Sequence, residues 1–342
     1  MPAVKLGIRA EIIESRERGK RAQIVCCMIK LDVVIVNWNA GVQLRDCLQS
    51  LEVARADLVF ELERCVVVDN ASTDDSLTTF KGGALPLQVI KNPENKGFAF
   101  ACNQGAKGGE SEYILFLNPD VRLFPGSLSQ AVLFLQRPEN GRIGILGIQL
   151  LDENGKIQRN AARFPSPRLI LYQMLGLDRV WPARFPSIVM KEWDHRTSKV
   201  VDHVQGAFFM VRRKVFDELQ GFDPRFFMYC EDLDFTLRAN QAGWNSYYLA
   251  STQSYHRGRG STYRIGARRL FYYLYSLAQY VGKNFGIPAG ILIMSASIGL
   301  EFWTRLVWSL MKRSDTTFLQ TLTAYGMFVR ALPRLIRDLK QT

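Results

Sequence analysis

Four short, almost wholly apolar runs, at residues 31–37, 66–68, 87–90 and 113–117, alternate with helix-patterned segments, and no other feature restricts the fold as much. Runs rich in Val, Ile and Leu without polar alternation mark strands covered on both faces. Leu44, Cys47, Leu48 and Leu51 share one helical face after the first run; a short helix is predicted around residues 76–80 and another from Phe98 to about Lys107. Connections of this length cannot be hairpins. The strands must pair in parallel, which predicts an α/β sheet with helices on both faces.

In such sheets ligands sit beyond the carboxyl ends of the strands. The second run turns at once into Asp69-Asn70-Ala71-Ser72-Thr73-Asp74-Asp75, which reads either as the cap of a following helix or as a place to hold a ligand. The fourth stops at Asn118-Pro119-Asp120; proline cannot donate to a ladder, so Asp120 is presented at the strand's edge. If the two strands are neighbours, both carboxylates meet in one crevice. The first strand is followed by Asn37-Trp38-Asn39-Ala40-Gly41, with a single glycine, so the glycine loops of dinucleotide and P-loop folds are absent. Side chains must hold the ligand instead.

Further on, a helix is predicted over residues 127–135, a strand over 143–151, a hairpin turn at 152–156 and a proline-interrupted lid or acceptor-side loop over 163–196. Tyr172, Trp181 and Trp193 in that lid either pack in the interior or stack on a ligand ring, with packing preferred. A strand over 200–212 carries Gln205-Gly206-Ala207, where glycine permits close approach. Glu231-Asp232-Leu233-Asp234 opens a helix with its acids in the first turn, where the dipole favours them. A strand over 244–249 precedes a loop holding His256, Arg257 and Arg259.

The net charge of +12 implies an anionic partner. Nucleic acid is disfavoured, because the cations gather at the two ends without interleaved aromatics. Six cysteines lack metal-site spacing and read as reduced cytosolic thiols, while three histidines exclude a His-rich cage, so any metal is bound mostly by oxygen. The apolar stretch near the start, residues 24–29, is too short for a secretory signal. Met28 offers an alternative start, which would make the first 27 residues dispensable.

Together, Val36-Asn37-Trp38-Asn39, Val68-Asp69-Asn70-Ala71-Ser72-Thr73-Asp74, Asn95-Lys96-Gly97-Phe98-Ala99 with Asn103 and Gly105, Leu117-Asn118-Pro119-Asp120, Gln205-Gly206-Ala207, Gly221-Phe222-Asp223 and Glu231-Asp232-Leu233-Asp234 resemble the inverting family 2 glycosyltransferases of the GT-A fold. Within that family the chain is most similar to bacterial rhamnosyltransferases of cell-surface polysaccharide synthesis. The resemblance covers residues 31–261.

It implies a Rossmann-like nucleotide-diphospho-sugar transferase domain at 31–262, with a nucleotide-sugar half (31–125) and an acceptor half (126–262); an extension at 1–30 and a helical appendage at 263–342 lie outside it. It also implies transfer of one sugar, rhamnose from dTDP-rhamnose, to a lipid-linked or polysaccharide acceptor. Asn37, Asp69, Asn70, Lys96, Gly97, Asn103, Asn118, Asp120, Gln205 and Gly206 would contact the donor, with Asp69 reading the pyrimidine. Asp120 and His256 would hold a divalent cation, Mg2+ or Mn2+; Asn118-Pro119-Asp120 has one carboxylate fewer than the Asp-x-Asp of many relatives, which weakens that hold. A cation-neutralised diphosphate leaves without a general acid, but an acceptor hydroxyl needs a carboxylate to take its proton, and Asp232, then Glu231, are the candidates. Alternatives are a transferase using another donor such as a UDP-sugar, or a non-catalytic nucleotide-sugar-binding protein, which would not need Asp232.

The uncharged run between Lys283 and Glu301 is 17 residues, short for a span, which takes about 20. With Trp303, Trp308, Lys312, Arg313, Arg330, Arg334 and Arg337 nearby, helices lying in the interface of an anionic membrane are the preferred reading. This predicts a cytoplasmic enzyme on the inner face of the plasma membrane. The oligomeric state is left open, a homodimer included.

Overall fold

The computed structural model describes residues 9–11, 25–56, 59–78, 83–258 and 265–340. Most of the N-terminal extension and Arg259 lie outside the described residues. In chain order the strands are β1 (Arg9–Glu11), β2 (Val25–Cys27), β3 (Ile29–Asn37), β4 (Phe60–Asp69), β5 (Leu87–Lys91), β6 (Tyr113–Leu117), β7 (Val121–Leu123), β8 (Ile143–Leu151), β9 (Ala161–Ala162), β10 (Lys199–Val201), β11 (His203–Val204), β12 (Phe208–Arg212) and β13 (Asn245–His256). The helices are α1 (Val42–Ala54), α2 (Phe98–Ala106), α3 (Ser127–Gln136), α4 (Pro167–Met174), α5 (Leu177–Val180), α6 (Arg213–Glu218), α7 (Glu231–Gln241), α8 (Ala267–Phe285), α9 (Ile287–Ala296), α10 (Phe302–Met311) and α11 (Asp315–Lys340).

The main sheet runs β10-β13-β8-β12-β6-β3-β4-β5, with β7 on β13. β4, β3 and β6 pair in parallel, as do β4 and β5. Alternate residues of β3 and β4 go to opposite faces: Val33, Ile35 and Val67 pack with Leu44, Cys47, Leu48 and Leu51 of α1. Val34, Val36, Val66 and Val68 pack with Ala99, Ala101 and Cys102 of α2. Burial on both faces explains the uninterrupted apolar runs.

Several expectations need correction. β3 lies between β4 and β6, so the strands leading to Asp69 and Asp120 are not neighbours. Residues 71–78 form turns, with no helix at Ser76, and the remainder of the predicted 76–80 helix lies outside the described residues. The predicted 200–212 strand is three: the chain leaves the main sheet after β10, pairs as β11 with β9, and rejoins as β12, antiparallel between β6 and β8. The 152–156 turn is present, but its ladder is one bridge, Leu151 to Ile157. The lid contains two short helices, α4 and α5. β13 runs through to His256, because its far end pairs with β7.

The helical tail is packed onto the sheet domain. α8 buries Leu277, Tyr280 and Val281 with Ile170, Met174, Phe226 and Leu233, and Leu274 and Ala278 with Phe328, Leu335 and Leu339 of α11. Lys283 Nζ lies 2.7 Å from Asp223 Oδ2 and 2.6 Å from Asp234 Oδ1, the latter side chain being fully buried. α9 and α10 join through a π-turn, Ser297–Glu301, into one 25-residue helix long and apolar enough by composition to cross a membrane.

Candidate active site

A cavity of about 500 Å³ opens where β3 and β6 end, roofed by the lid, the start of α7 and one face of α8. On its sheet side, polar side chains are committed to one another. Asn37 Nδ2 donates to Asp69 Oδ1 (2.7 Å), Ser76 Oγ (2.8 Å) and Ser72 Oγ (3.0 Å). Asn39 Oδ1 accepts from the N–H groups of Thr73 (2.7 Å) and Asp74 (3.2 Å), and Asp74 Oδ2 accepts from Gly41 N at 2.9 Å. The polar stretch after β4 is thus laced to the loop after β3, and Asp69 caps no helix.

Asn70, 2% exposed, donates to Asn95 Oδ1 and Gly97 O (both 3.0 Å) and accepts from Asn92 Nδ2 at 3.1 Å. This shapes the 95–97 loop. Gly97 has φ +91°, and a Cβ there would stand 2.6 Å from Phe227 O, which accepts from Phe98 N at 2.8 Å. Glycine lets that loop close against the second half of the domain.

Of the sequence candidates, Asn70, Gly97, Asn118, Asp120, Gln205, Gly206, Glu231, Asp232 and His256 line the cavity. Asn37 and Asp69, at the ends of β3 and β4, are 0% and 5% exposed and are not among its lining residues. Asn103 is engaged in clamping a turn, donating to Phe222 O (2.7 Å) and accepting from Phe222 N (2.9 Å). Lys96 Nζ rests 5.1 Å from the centre of the Phe100 ring. The lid aromatics pack among themselves: Tyr172 and Trp181 on Phe185, Trp193 stacked on His195 at 4.1 Å. Arg257 is exposed.

Asp120 and His256 come together because β7, directly after Asp120, pairs antiparallel with the end of β13. His256 Nε2 lies 3.5 Å from Asp120 Oδ1, and Nδ1 contacts Gln158 Oε1 at 2.8 Å. A hydrogen bond from Nδ1–H to Gln158 leaves the Nε2 lone pair facing the carboxylate, a disposition suited to holding a cation between them.

Asp232 stands at the start of α7, after two residues in the left-handed region, Tyr229 (φ 68°) and Cys230 (φ 65°). Such backbone costs about 1–3 kcal/mol per residue and gathers at functional sites. Gly206 N donates to Asp232 Oδ2 and Leu233 N to Oδ1, both at 2.8 Å. A Cβ on Gly206 would stand 3.1 Å from that Oδ2. Glu231 beside it is 7% exposed, and its Oε2 is buried without a partner among the described residues. Burial, and secondarily the Asp232 charge, push Glu231 well above the usual carboxylate range. A raised carboxyl pKa favours the protonated form.

The cavity wall also holds Trp38 and His203, neither of them singled out as a site residue in the sequence. His203 Nε2 lies 3.7 Å from Asp232 Oδ2, and Nδ1 lies 3.3 Å from Thr236 Oγ1. Thr236 gives its only hydroxyl proton to Asp232 O at 2.6 Å. The Nδ1 contact must then be a donation by histidine. Burial lowers the His203 pKa, so the neutral ring offers its Nε2 lone pair beside the carboxylate. Two acceptors side by side can receive a hydroxyl proton. In sequence His203 was one polar residue in a predicted strand; only the three-residue spacing to Gly206 hinted at a shared loop.

The sequence matches the family described as Glycosyl transferase family 2 over residues 32–220. It is 30% identical over 253 residues, 70% of this chain and 80% of the relative, to an N-acetylglucosaminyl-diphospho-decaprenol L-rhamnosyltransferase of Mycobacterium tuberculosis. It is 27% identical over 178 residues to the rhamnosyltransferase WbbL of Escherichia coli, covering 51% of this chain and 63% of that protein. Among solved structures, S. aureus TarS 1-349 in complex with UDP-GlcNAc superposes with a TM-score of 0.50 at 18% identity, over 91% of this chain and 84% of that one; this likeness concerns the fold.

Proposed function

Because the chain belongs to glycosyl transferase family 2, we propose that it moves one rhamnose from dTDP-rhamnose to a lipid-linked glycan acceptor by inverting single displacement. Similarity to two rhamnosyltransferases supports the sugar, and the diphospho-decaprenol in the name of one of them supports the acceptor. One observation carries the chemistry. The Asp232 carboxylate, fixed by two backbone N–H groups, shares one cavity with the Asp120–His256 pair.

Asp232 is the base that takes the acceptor hydroxyl's proton, and His203 Nε2 stands beside it. Trp38, Asn70 and Asn118 bound the donor pocket, while Asp69 Oδ2, met by Ser72 N at 3.3 Å, keeps lone pairs for the base of the nucleotide. Asp120 and His256 supply one carboxylate oxygen and one imidazole nitrogen, a donor set that suits Mg2+ or Mn2+ completed by diphosphate oxygens. A bound cation would neutralise the charge developing on the leaving diphosphate. The exposed apolar face of α9 and α10 would rest on the inner face of the plasma membrane.

The test is release of nucleoside diphosphate across a panel of nucleotide-sugars, with and without divalent metal, in the presence of a lipid-linked acceptor. Release from dTDP-rhamnose, abolished by chelation, is expected. Release from a UDP-sugar alone would move the donor, and no release from any donor would reject the reading.

A further inference from the structure

A second cavity, of about 280 Å³, lies between the lid helices α4 and α5 and the C-terminal helices. It adjoins the first, for Gln173, Tyr273 and Leu277 line both. Its inner wall is apolar, with Ile170 and Met174 buried. Its rim carries Arg179, Arg305 and Thr304, and Trp308 closes the far end.

Arg179 is exposed and has no ion pair among the described residues. Arg305 is steadied by Glu301, whose Oε1 accepts from Nε at 2.9 Å and from a terminal nitrogen at 2.6 Å. Glu301 lines the same cavity and offsets the charge of Arg305, so the net cation there is carried by Arg179, while Arg305 keeps guanidinium N–H donors that its one partner oxygen does not occupy. Beyond Trp308 the surface turns apolar: Trp303, Val307, Leu310 and Met311 on α10 are 60%, 55%, 63% and 78% exposed.

Along this path the protein presents a sugar-sized cavity with a base, then two guanidinium groups, then a hydrocarbon face. A ligand matching that order carries a sugar, an anionic link and a long apolar chain. We propose that the second cavity seats the diphosphate of the lipid-linked acceptor on Arg179 and Arg305, with its hydrocarbon leaving past Trp308 along α10. This rests on the lipid-linked acceptor proposed above and assigns that acceptor's anchoring site. Guanidinium is the group suited to it, because its planar fork pairs two phosphate oxygens at once.

The experiment compares two acceptors for the full-length enzyme: a sugar on polyprenyl diphosphate and the same sugar as a simple alkyl glycoside without phosphate. Arg179→Ala should raise KM for the diphosphate acceptor by about tenfold, Arg179→Glu by more, and Arg305→Lys, which keeps the pairing with Glu301, by a few-fold. KM for the nucleotide-sugar and turnover with the alkyl glycoside should be unchanged, which also shows that the variants are folded. An unchanged KM for the diphosphate acceptor, or an equal loss on both acceptors, overturns the seat. Sedimentation with phosphatidylglycerol vesicles identifies the other source of phosphate: a matching loss of vesicle binding in Arg179→Glu would reassign the cations to bilayer headgroups and overturn the proposal. Should the wild type glycosylate only the alkyl glycoside, the lipid-linked reading fails, and the seat with it; should it accept the lipid diphosphate while the variants behave as wild type, the seat alone fails.

Discussion

The two sides of the cavity are built from opposite materials. On the sheet side, Asn37, Asn39, Asp69, Asn70, Ser72 and Asp74 are tied to one another before any ligand arrives. On the helix side the walls are apolar, from Ile188 and Leu277 to Met174, and charge appears only at isolated points. A polar network whose side chains are already fixed by one another loses little further freedom on binding and so favours one small, invariant ligand. Apolar walls carried on short lid helices suit a long and variable one. Under the proposed function, the difference teaches that recognition of a nucleotide and of a glycan lipid would be separate tasks, meeting at Asp232.

That contrast can be broken first at its meeting point. Asp232→Asn keeps an acceptor oxygen for one of the two backbone N–H groups but cannot take a proton, and kcat should fall roughly 10³-fold with donor affinity, read by titration calorimetry, retained; near-normal turnover would remove Asp232 as the base. A step down in size, Asp32→Ala tests whether the two halves fold as one. Fully buried Asp32 pairs with Arg64 at 2.7 Å and, across to α6, with Arg213 at 2.8 Å. Its loss leaves two cations unpaired and should lower stability by about 3–5 kcal/mol, visible in the urea midpoint as one shifted transition. Asn37→Ala should cost about 1–3 kcal/mol and raise KM for the nucleotide-sugar while leaving that for the acceptor alone; an equal rise in both would erase the division between the sides.

The smallest effects are in pH. Glu231 is raised, so the folded protein binds a proton that the unfolded chain releases above the ordinary carboxylate range; the stability it contributes is complete below that range and is lost as pH rises through the folded value. Glu231→Gln imitates the protonated acid, and it should leave kcat within about twofold and flatten the alkaline limb of stability against pH. Burial lowers His203, which reverses the sign: nothing is lost above the ordinary histidine value of about 6.5, and stability declines as pH falls below it, since the unfolded chain takes the proton first. His203→Gln should flatten that acid limb in part, His195 being lowered in the same direction by its own burial. Thermal denaturation between pH 5 and 8 checks both.

Much of this was legible in sequence for a physical reason. Strands buried on both faces must be apolar throughout, so β3, β6 and β8 announce themselves, and a proline after β6 marks where its edge ends. The acidic start of α7 and the Asn-Pro-Asp turn could be read because their chemistry is local. What stayed hidden depends on distant partners. The 71–78 turns displace a predicted helix because Asn37 and Asn39, more than thirty residues earlier, bind their hydroxyls and N–H groups. Asn103 matched a motif for ligand contact, yet its amide is engaged by Phe222, 119 residues on. His203 gained meaning only when the 200–212 segment broke to bring Gly206 to Asp232.

Lys283 gives the molecule one property more. Its ammonium joins Asp223 and Asp234, and the hydrogen bonds from Arg225 and Lys283 outweigh burial to hold Asp223 well below the usual carboxylate range. Asp234 sits two residues beyond Asp232 on the same helix. A protease nicking the connection between β13 and α8 would therefore release no free catalytic piece. The fragments would stay clasped through the apolar contacts of α8 with Phe226 and Leu233, which that ammonium adjoins, and an enzyme cut in this way should elute from a sizing column as though whole.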